Sequence, residues 1–571
     1  MKKNIFIIIG AALMFFASCD NMNYHEYNIY DKDYITETFE NVGGFMSKIY
    51  NTVEYDFGNY SSGAMLASAS DESQYSIMGN GIEDFYNGGW SPTNAKSATW
   101  TNMYQGIATC NTVLTEMQGL KFEDYELNSD YPQQMHRYQN YPYEARYMRA
   151  YFYFTLVRQY GGVPIVEPEM TLEEINTIKR SSADEVFKYI IDECAAIQNE
   201  IIKDYSDLGD YALGIEETGR VDQVTVLALK AKAALYWASP LFNESGEKSR
   251  WETAASYYEE LIAACEKRGK GLTKKYEDLW STSNYLTPEI NKEIIYGRRY
   301  YSSANGDNLV ESNNYPVGVE GGAGGNCPTQ NLVDAYVMTN GKPIGAADSG
   351  YDPANPYKDR DPRLALTVAV NGDKWPTSYE VALETFQGGV NAEPIAGATP
   401  TGYYLKKLCH GEISLAANGR VKTNFHTYVI FRMGGIYLDY AEALFRATGG
   451  ADVKGSYKMT AREAASKTRE RVGIPAFETG MSNEAFWEAY KNERMVELAF
   501  EGHRFWDVRR WKEADKYFTS VKLAKITKNA DGTFAYNYQT VSRQWNDKMY
   551  LFPIPQSEIM KNKNLTQNPG W

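Results

Sequence analysis

The residues best equipped for chemistry lie in one block near the carboxyl end. Glu493, Glu497 and Glu501 recur at i, i+4 and i+8, with His503 just beyond. On a helix that spacing lines three carboxylates along one face, a pattern that would suit a metal ion or an acid/base cluster. Arg494, Arg504, Arg509 and Arg510 are interleaved with them. Carboxylate–guanidinium pairs bridging packed helices explain the block without any ligand. No HExxH, GxSxG, P-loop or complete GxGxxG motif occurs, and the glycine-rich run 321–325 reads as a loop rather than a phosphate cradle. A glycosidase needs two carboxylates roughly 5–9.5 Å apart across a sugar. No acidic motif stands out among the 73 Asp and Glu residues, so the chain is expected not to be an enzyme.

Binding a sugar without transforming it needs different groups. Sugar rings present C–H faces that stack on Trp or Tyr, and their hydroxyls need Asp, Asn or Arg. Two regions supply both. The first joins Asp71, Glu72, Ser73, Gln74 and Tyr75 to the segment Gly89-Trp90-Ser91-Pro92-Thr93-Asn94, where Trp90 sits between two glycines and a proline and so in a turn. The second gathers Trp280, Tyr285, Tyr300, Tyr301, Asn313, Asn314, Tyr315 and Asn326. Trp100, Trp237, Trp506 and Trp511 follow helical spacing and are expected in the core.

Composition narrows the class. Against 58 Lys and Arg stand 73 Asp and Glu, a net charge of −15 that argues against nucleic acid as partner. Tyr (46), Phe (23) and Trp (11) make up 14% of the chain, and a tyrosine surplus suits amphipathic ligands. Six cysteines in 571 residues rule out a disulfide scaffold, and with no CxxC pair among them a zinc ribbon is not expected. The many Asp and carbonyl-rich loops leave room for a structural calcium ion, without EF-hand spacing; no other cofactor is expected.

Lys2 and Lys3, then an apolar run over residues 5–16, then Ala17 and Ser18 before Cys19, read as a secretory signal ending in a bacterial lipobox. Residues 1–18 would be removed and Cys19 would carry lipid on its sulfur and its new amino terminus. Several acyl chains anchor stably, at about 0.8 kcal/mol per buried CH₂. No later run reaches the roughly 18 apolar residues that span a bilayer.

These groups must be held by a mainly helical body. Helical spacing starts near Thr38 and resumes at Trp100; helices are expected over 143–160, 183–202, 224–238, 251–267, 436–448, 460–472 and 483–511. Gly161-Gly162-Val163-Pro164 should stop the first of the long ones. The pair 224–267, with Ala where two helices touch, is of tetratricopeptide type. The helical scaffold covers roughly 38–270 and 434–515. Between them, 271–433 is rich in Gly, Asn and Pro, with strand-like runs at 293–296 and 364–370. Polar loops on a rigid scaffold are where binding groups are usually placed.

Several blocks resemble the SusD/RagB family of Bacteroidetes outer-membrane lipoproteins: residues 100–111, Ala145-Arg146-Tyr147-Met148-Arg149-Ala150-Tyr151 with 160–164, Asp359 to Leu364, Glu493 to Arg510, and 550–571. They occur in family order along the whole chain. The resemblance implies one α-helical SusD-like domain over 19–571, with tetratricopeptide-like helix pairs, a loop-rich ligand face and short β-strands. It implies a non-catalytic cell-surface lipoprotein that delivers glycans to a SusC-like TonB-dependent outer-membrane transporter and acts as its lid. The family's glycan sites take an acidic residue and a Trp/Asn pair from the first region, which carries over to Asp71, Trp90 and Asn94; the second region corresponds to the family's further aromatic platforms. The candidate loops hold no Lys/Arg cluster, favouring a neutral glycan such as a glucan or fructan. The alternatives are peptide capture, as in some relatives, and a structural transporter subunit with no ligand of its own.

Overall fold

The computed structural model describes residues 32–213, 219–281, 291–301, 309–379, 381–417 and 425–571. The signal sequence, Cys19 and Tyr285 lie outside them. Helices dominate: α1 (Phe39–Asn51), α2 (Ala98–Glu116), α3 (Tyr131–Tyr160), α4 (Ala183–Ile197), α5 (Gln223–Ala238), α6 (Lys248–Lys267), α7 (Met433–Thr448), α8 (Ala461–Arg471), α9 (Asn483–Glu497) and α10 (Arg504–Arg510). From α2 to α9 each helix packs on the next in sequence, and α6 meets α7 directly. The chain between them leaves the stack and returns to it. Small side chains allow the close approach: Ala231, Ala233 and Ala234 on α5 and Ala254 and Ala255 on α6 are wholly buried.

Local signals set the ends. Ser182 and Glu185 form a reciprocal capping box at the start of α4. At the end of α3, Gly161 adopts φ +70°, and a Cβ on Gly162 would meet the Ser181 carbonyl oxygen at 2.2 Å. That stop falls where the sequence puts it, but α3 begins at Tyr131, twelve residues before the expected start. Its first half carries Tyr, Gln, His and Arg with few aliphatic residues, so the apolar stripe is masked, and Pro142 lies inside the helix.

Among the described residues the strands form two-stranded antiparallel ribbons: β1 (Ser73–Tyr75) with β3 (Asn326–Pro328), β2 (Ile294–Tyr301) with β6 (Phe425–Arg432), β4 (Val368–Ala369) with β5 (Tyr404–Leu405), and β7 (Ser520–Lys528) with β8 (Phe534–Ser542). The strand-like run 364–370 is mostly a short helix, Pro362–Thr367, because Asp361 caps the Arg363 N–H and Pro362 presets the first turn. A second core lies under the insert, where Tyr315, Leu332, Tyr336, Tyr403 and Leu405 pack with Val496 and Phe500. The five described cysteines are all free and buried. No helix among the described residues is long and apolar enough to cross a membrane.

Candidate functional site

The Glu493–Arg510 block is a buried ion-pair network. Arg363 reaches Glu493 at 2.7 Å and Glu497 at 2.8 Å. Arg432 reaches Glu293, Glu497 and Glu501 at 2.7–2.8 Å, and Arg494 joins Asp439 to Asp507. Burial works against the charge on Glu497, yet Arg471, Arg432 and Arg363 hold it well below the ordinary carboxylate range. Burial, with Lys232 and Arg494 nearby, lowers His503 to about 3, so its imidazole stays neutral at ordinary pH. Every carboxylate here already has a guanidinium partner, which suits welding helices together and leaves no acid/base pair.

The residues singled out for sugar contact are mostly structural. Asp71 is buried in a bidentate pair with Arg504, at 2.8 and 2.7 Å. Trp90 is only 4% exposed; Phe85, Phe552 and Trp571 surround its ring at 4.6, 4.6 and 5.0 Å. Tyr315 is buried and donates to the carbonyls of His410 and Ile413. Asn326 is buried too, accepting from the Met65 N–H and the Ser68 hydroxyl and donating to Gly63 and Asn314. Trp280 is half-buried, and the Lys407 ammonium lies 4.6 Å from its ring centroid. A ligand contact must be exposed, so the buried Asp71, Trp90, Tyr315 and Asn326 are corrected to roles in packing and internal hydrogen bonding. Turn residues around Trp90 signalled a loop, but not that the chain's last residue folds back over it. Asn94 is exposed and donates to Asp84 at 2.8 Å and to the Gly89 carbonyl. The backbones of Tyr300 and Tyr301 pair with His426 and Phe425 in the β2–β6 ribbon; their side chains lie outside the described part.

A different place gathers accessible polar and aromatic groups. A cavity of about 730 Å³ lies where the end of α1, the loop 53–60, the start of α2, α3 and the β2–β6 ribbon meet. Exposed carboxamides of Asn51, Asn59, Asn102 and Gln105 ring its mouth. Its interior is aromatic, with Tyr151, Phe154, Tyr236 and Trp506 buried in the walls. Tyr428, opposite Arg298 in the ribbon register, forms another wall. Tyr428 closes on Gly502, where φ is +74° and a Cβ would meet its hydroxyl at 2.6 Å, so only glycine serves at 502.

Charges are arranged around this space. Arg158 lies over the Trp506 ring at 4.6 Å and 3.6 Å from Glu54, which also accepts from Thr99 at 2.7 Å. Arg298 stacks on Tyr55 at 4.3 Å and donates to the Val53 carbonyl. Asp56 accepts from the Leu66 and Gly58 amides, and burial, outweighing those bonds, pushes it up to about 6. At the rim Lys96 pairs with Asp84 at 2.5 Å, the carboxylate that Asn94 also holds. The first sequence region therefore ends beside the cavity, while its wall residues were missed. Arg158 sits on a helix otherwise read as core, and nothing in sequence spacing joins residue 55 to residue 298.

One cluster among the described residues has metal-ligating composition: Glu311, His410 and His426, all buried. The two imidazoles stack at 4.2 Å with an interplanar angle of 11°. A metal lies in the plane of the imidazole that binds it, and nearly parallel stacked rings share no such point. The group serves instead as a hydrogen-bonded knot, with Glu311 accepting from the His410 N–H at 2.9 Å and lying 3.2 Å from His426 Nε2.

Fold and cavity together define a binding protein built on a helical stack, and comparison with known proteins agrees. A family model described as the SusD family matches residues 292–571, and one described as starch-binding, associating with the outer membrane, matches residues 24–206. SusD-like protein P25 of Formosa agariphila is 22% identical over 483 residues, covering 83% of this chain and 78% of that protein. A SusD-like protein of Bacteroides fragilis superposes with a TM-score of 0.76 at 25% identity, covering 94% of this chain and 98% of its own. A SusD-like carbohydrate-binding protein of the same species gives a TM-score of 0.73 at 22% identity, covering 93% and 100%. The two matched segments together cover most of the chain, which belongs to the SusD family.

Proposed function

We propose that this chain captures an oligosaccharide in the cavity between α1, α3 and the β2–β6 ribbon, at the outer surface of the outer membrane, and passes it to a SusC-like TonB-dependent transporter as its lid. The observation that carries this reading is the cavity: about 730 Å³, inside the roughly 300–1,000 Å³ range of ligand sites. Its carboxamide mouth suits ring hydroxyls, and its aromatic walls suit C–H faces. The name of the carbohydrate-binding relative and the outer-membrane family description support the ligand class and the place. The lipobox before Cys19 supports a lipid tether. Asn94, which holds the Asp84 carboxylate that pairs with Lys96 at the rim, and Tyr300 and Tyr301, on the strand that carries Arg298, belong to the proposed contact set.

The test is calorimetric titration of the full chain in mild detergent with glucans, fructans, mannans, xylans, acidic polysaccharides and a peptide digest. Heat with one glycan class supports the reading. Heat with peptides alone, or none with any sugar, overturns it.

A further inference from the structure

The ligand's charge can be read from groups that the cavity leaves uncompensated. Arg298 makes one hydrogen bond, to the Val53 carbonyl, and stacks on Tyr55. Among the described residues no carboxylate lies within ion-pair distance of it. Burial lowers its pKa, and the groups that pull the other way are tyrosines rather than acids, the signature of a desolvated cation without its anion. Arg158 has one acid, Glu54, at 3.6 Å, and its Nε is buried with no hydrogen-bond partner. Arg158, Arg298 and Tyr151 all line the cavity, and the Tyr151 hydroxyl, pushed up to about 12 by burial, is pulled back by both guanidiniums.

The acids in the walls are already engaged. Glu54 is held by Thr99, and Asp56 is turned to two backbone amides and sits near 6. Glu501 belongs to Arg432 and Lys407. Lys96 is matched by Asp84. What remains is Arg298, without an acid, and Arg158, whose single acid Glu54 is shared with Thr99 and whose Nε has no partner, both lining the cavity in a chain whose net charge is −15. Guanidiniums with open N–H groups bind carboxylate or sulfate oxygens two at a time.

We infer that the captured sugar is anionic, its carboxylate or sulfate ester seated between Arg158 and Arg298. This rests on the glycan-binding reading and replaces the neutral-glycan expectation. That expectation came from candidate loops without a Lys/Arg cluster, whereas these arginines come from helix α3 and strand β2.

The test titrates the full chain with uronate oligosaccharides and with sulfated oligosaccharides, each beside its carboxyl-reduced or desulfated counterpart. The expected result is that one acidic series binds about tenfold or more tighter than its neutralised form, with affinity falling as salt rises. Arg298→Gln should erase that preference, so that the acidic sugar and its neutralised form bind alike; Arg158→Gln is the second variant should the first fail to fold. Uronate against sulfate identifies which anion is taken. Equal binding of a sugar and its neutralised form, or an acid preference that survives both variants, overturns the inference and leaves glycan binding standing. Absence of binding to every sugar overturns both.

Discussion

The Arg298 guanidinium lies 4.3 Å from the centroid of the Tyr55 ring and donates to the carbonyl of Val53, two residues earlier. This contact ties the β2–β6 ribbon, part of the insert, to the loop that follows the first helix of the scaffold. Asp56 fixes the same loop from the other side through the Leu66 and Gly58 amides. A half-exposed aromatic face is thereby held in one orientation before any ligand arrives, which reduces the ordering cost of binding.

Tyr55→Ala should weaken oligosaccharide binding about tenfold, near 1.4 kcal/mol, while far-UV circular dichroism stays unchanged. Calorimetry on the variant checks it; wild-type affinity would remove Tyr55 from the site.

Trp90→Ala should act on stability. The indole fills a buried space between Phe85, Phe552 and Trp571, and emptying such a space costs about 3–5 kcal/mol. The urea midpoint should fall sharply, with affinity of the folded fraction kept. Full stability with lost affinity would return Trp90 to the ligand contacts.

Asp71→Asn should destabilise by about 3–5 kcal/mol, because Arg504 is left charged and buried. Asn94→Ala, on the surface, should cost under about 1 kcal/mol. Parallel denaturation curves for the two variants compare them directly, and equal losses would contradict the assignment of Asp71 to the core.

Glu72 gives a pH dependence. Burial, helped by Asp71 and opposed by the Phe500 amide and Lys407, raises it to about 8. The folded chain therefore holds this proton more tightly than the unfolded one. The stabilisation is full below about 4.5 and is lost as pH rises through about 8. At about 1.4 kcal/mol per unit, wild type should lose a few kcal/mol more between pH 4 and 9 than Glu72→Gln, which keeps an acceptor for Phe500. Melting curves of equal pH slope for the two proteins would contradict this.

What could be read from sequence depended on whether the cause was local. The helix start at Ser182 and the stop at Gly161 follow from residues within a turn of one another, and the interleaved Glu and Arg of 493–510 announce their pairing by composition. The cavity is different in kind. Its walls join residues 55, 158, 298 and 428 across long stretches of chain, and no periodicity encodes that meeting. Trp90 and Asp71 show the converse. Their types suit a sugar, but partners at 571 and 504 bury them, and burial by a distant segment leaves no trace in the neighbouring residues.

The most direct test of the cavity as the sugar site is to plug it without removing a contact. Ala98 is exposed on the first turn of α2 and lines the mouth, so Ala98→Trp should fill the entrance and leave the fold intact. Titration of this variant with the sugar that wild type binds should give no heat, at an unchanged melting temperature. Wild-type affinity in the plugged, folded variant would place the binding site elsewhere.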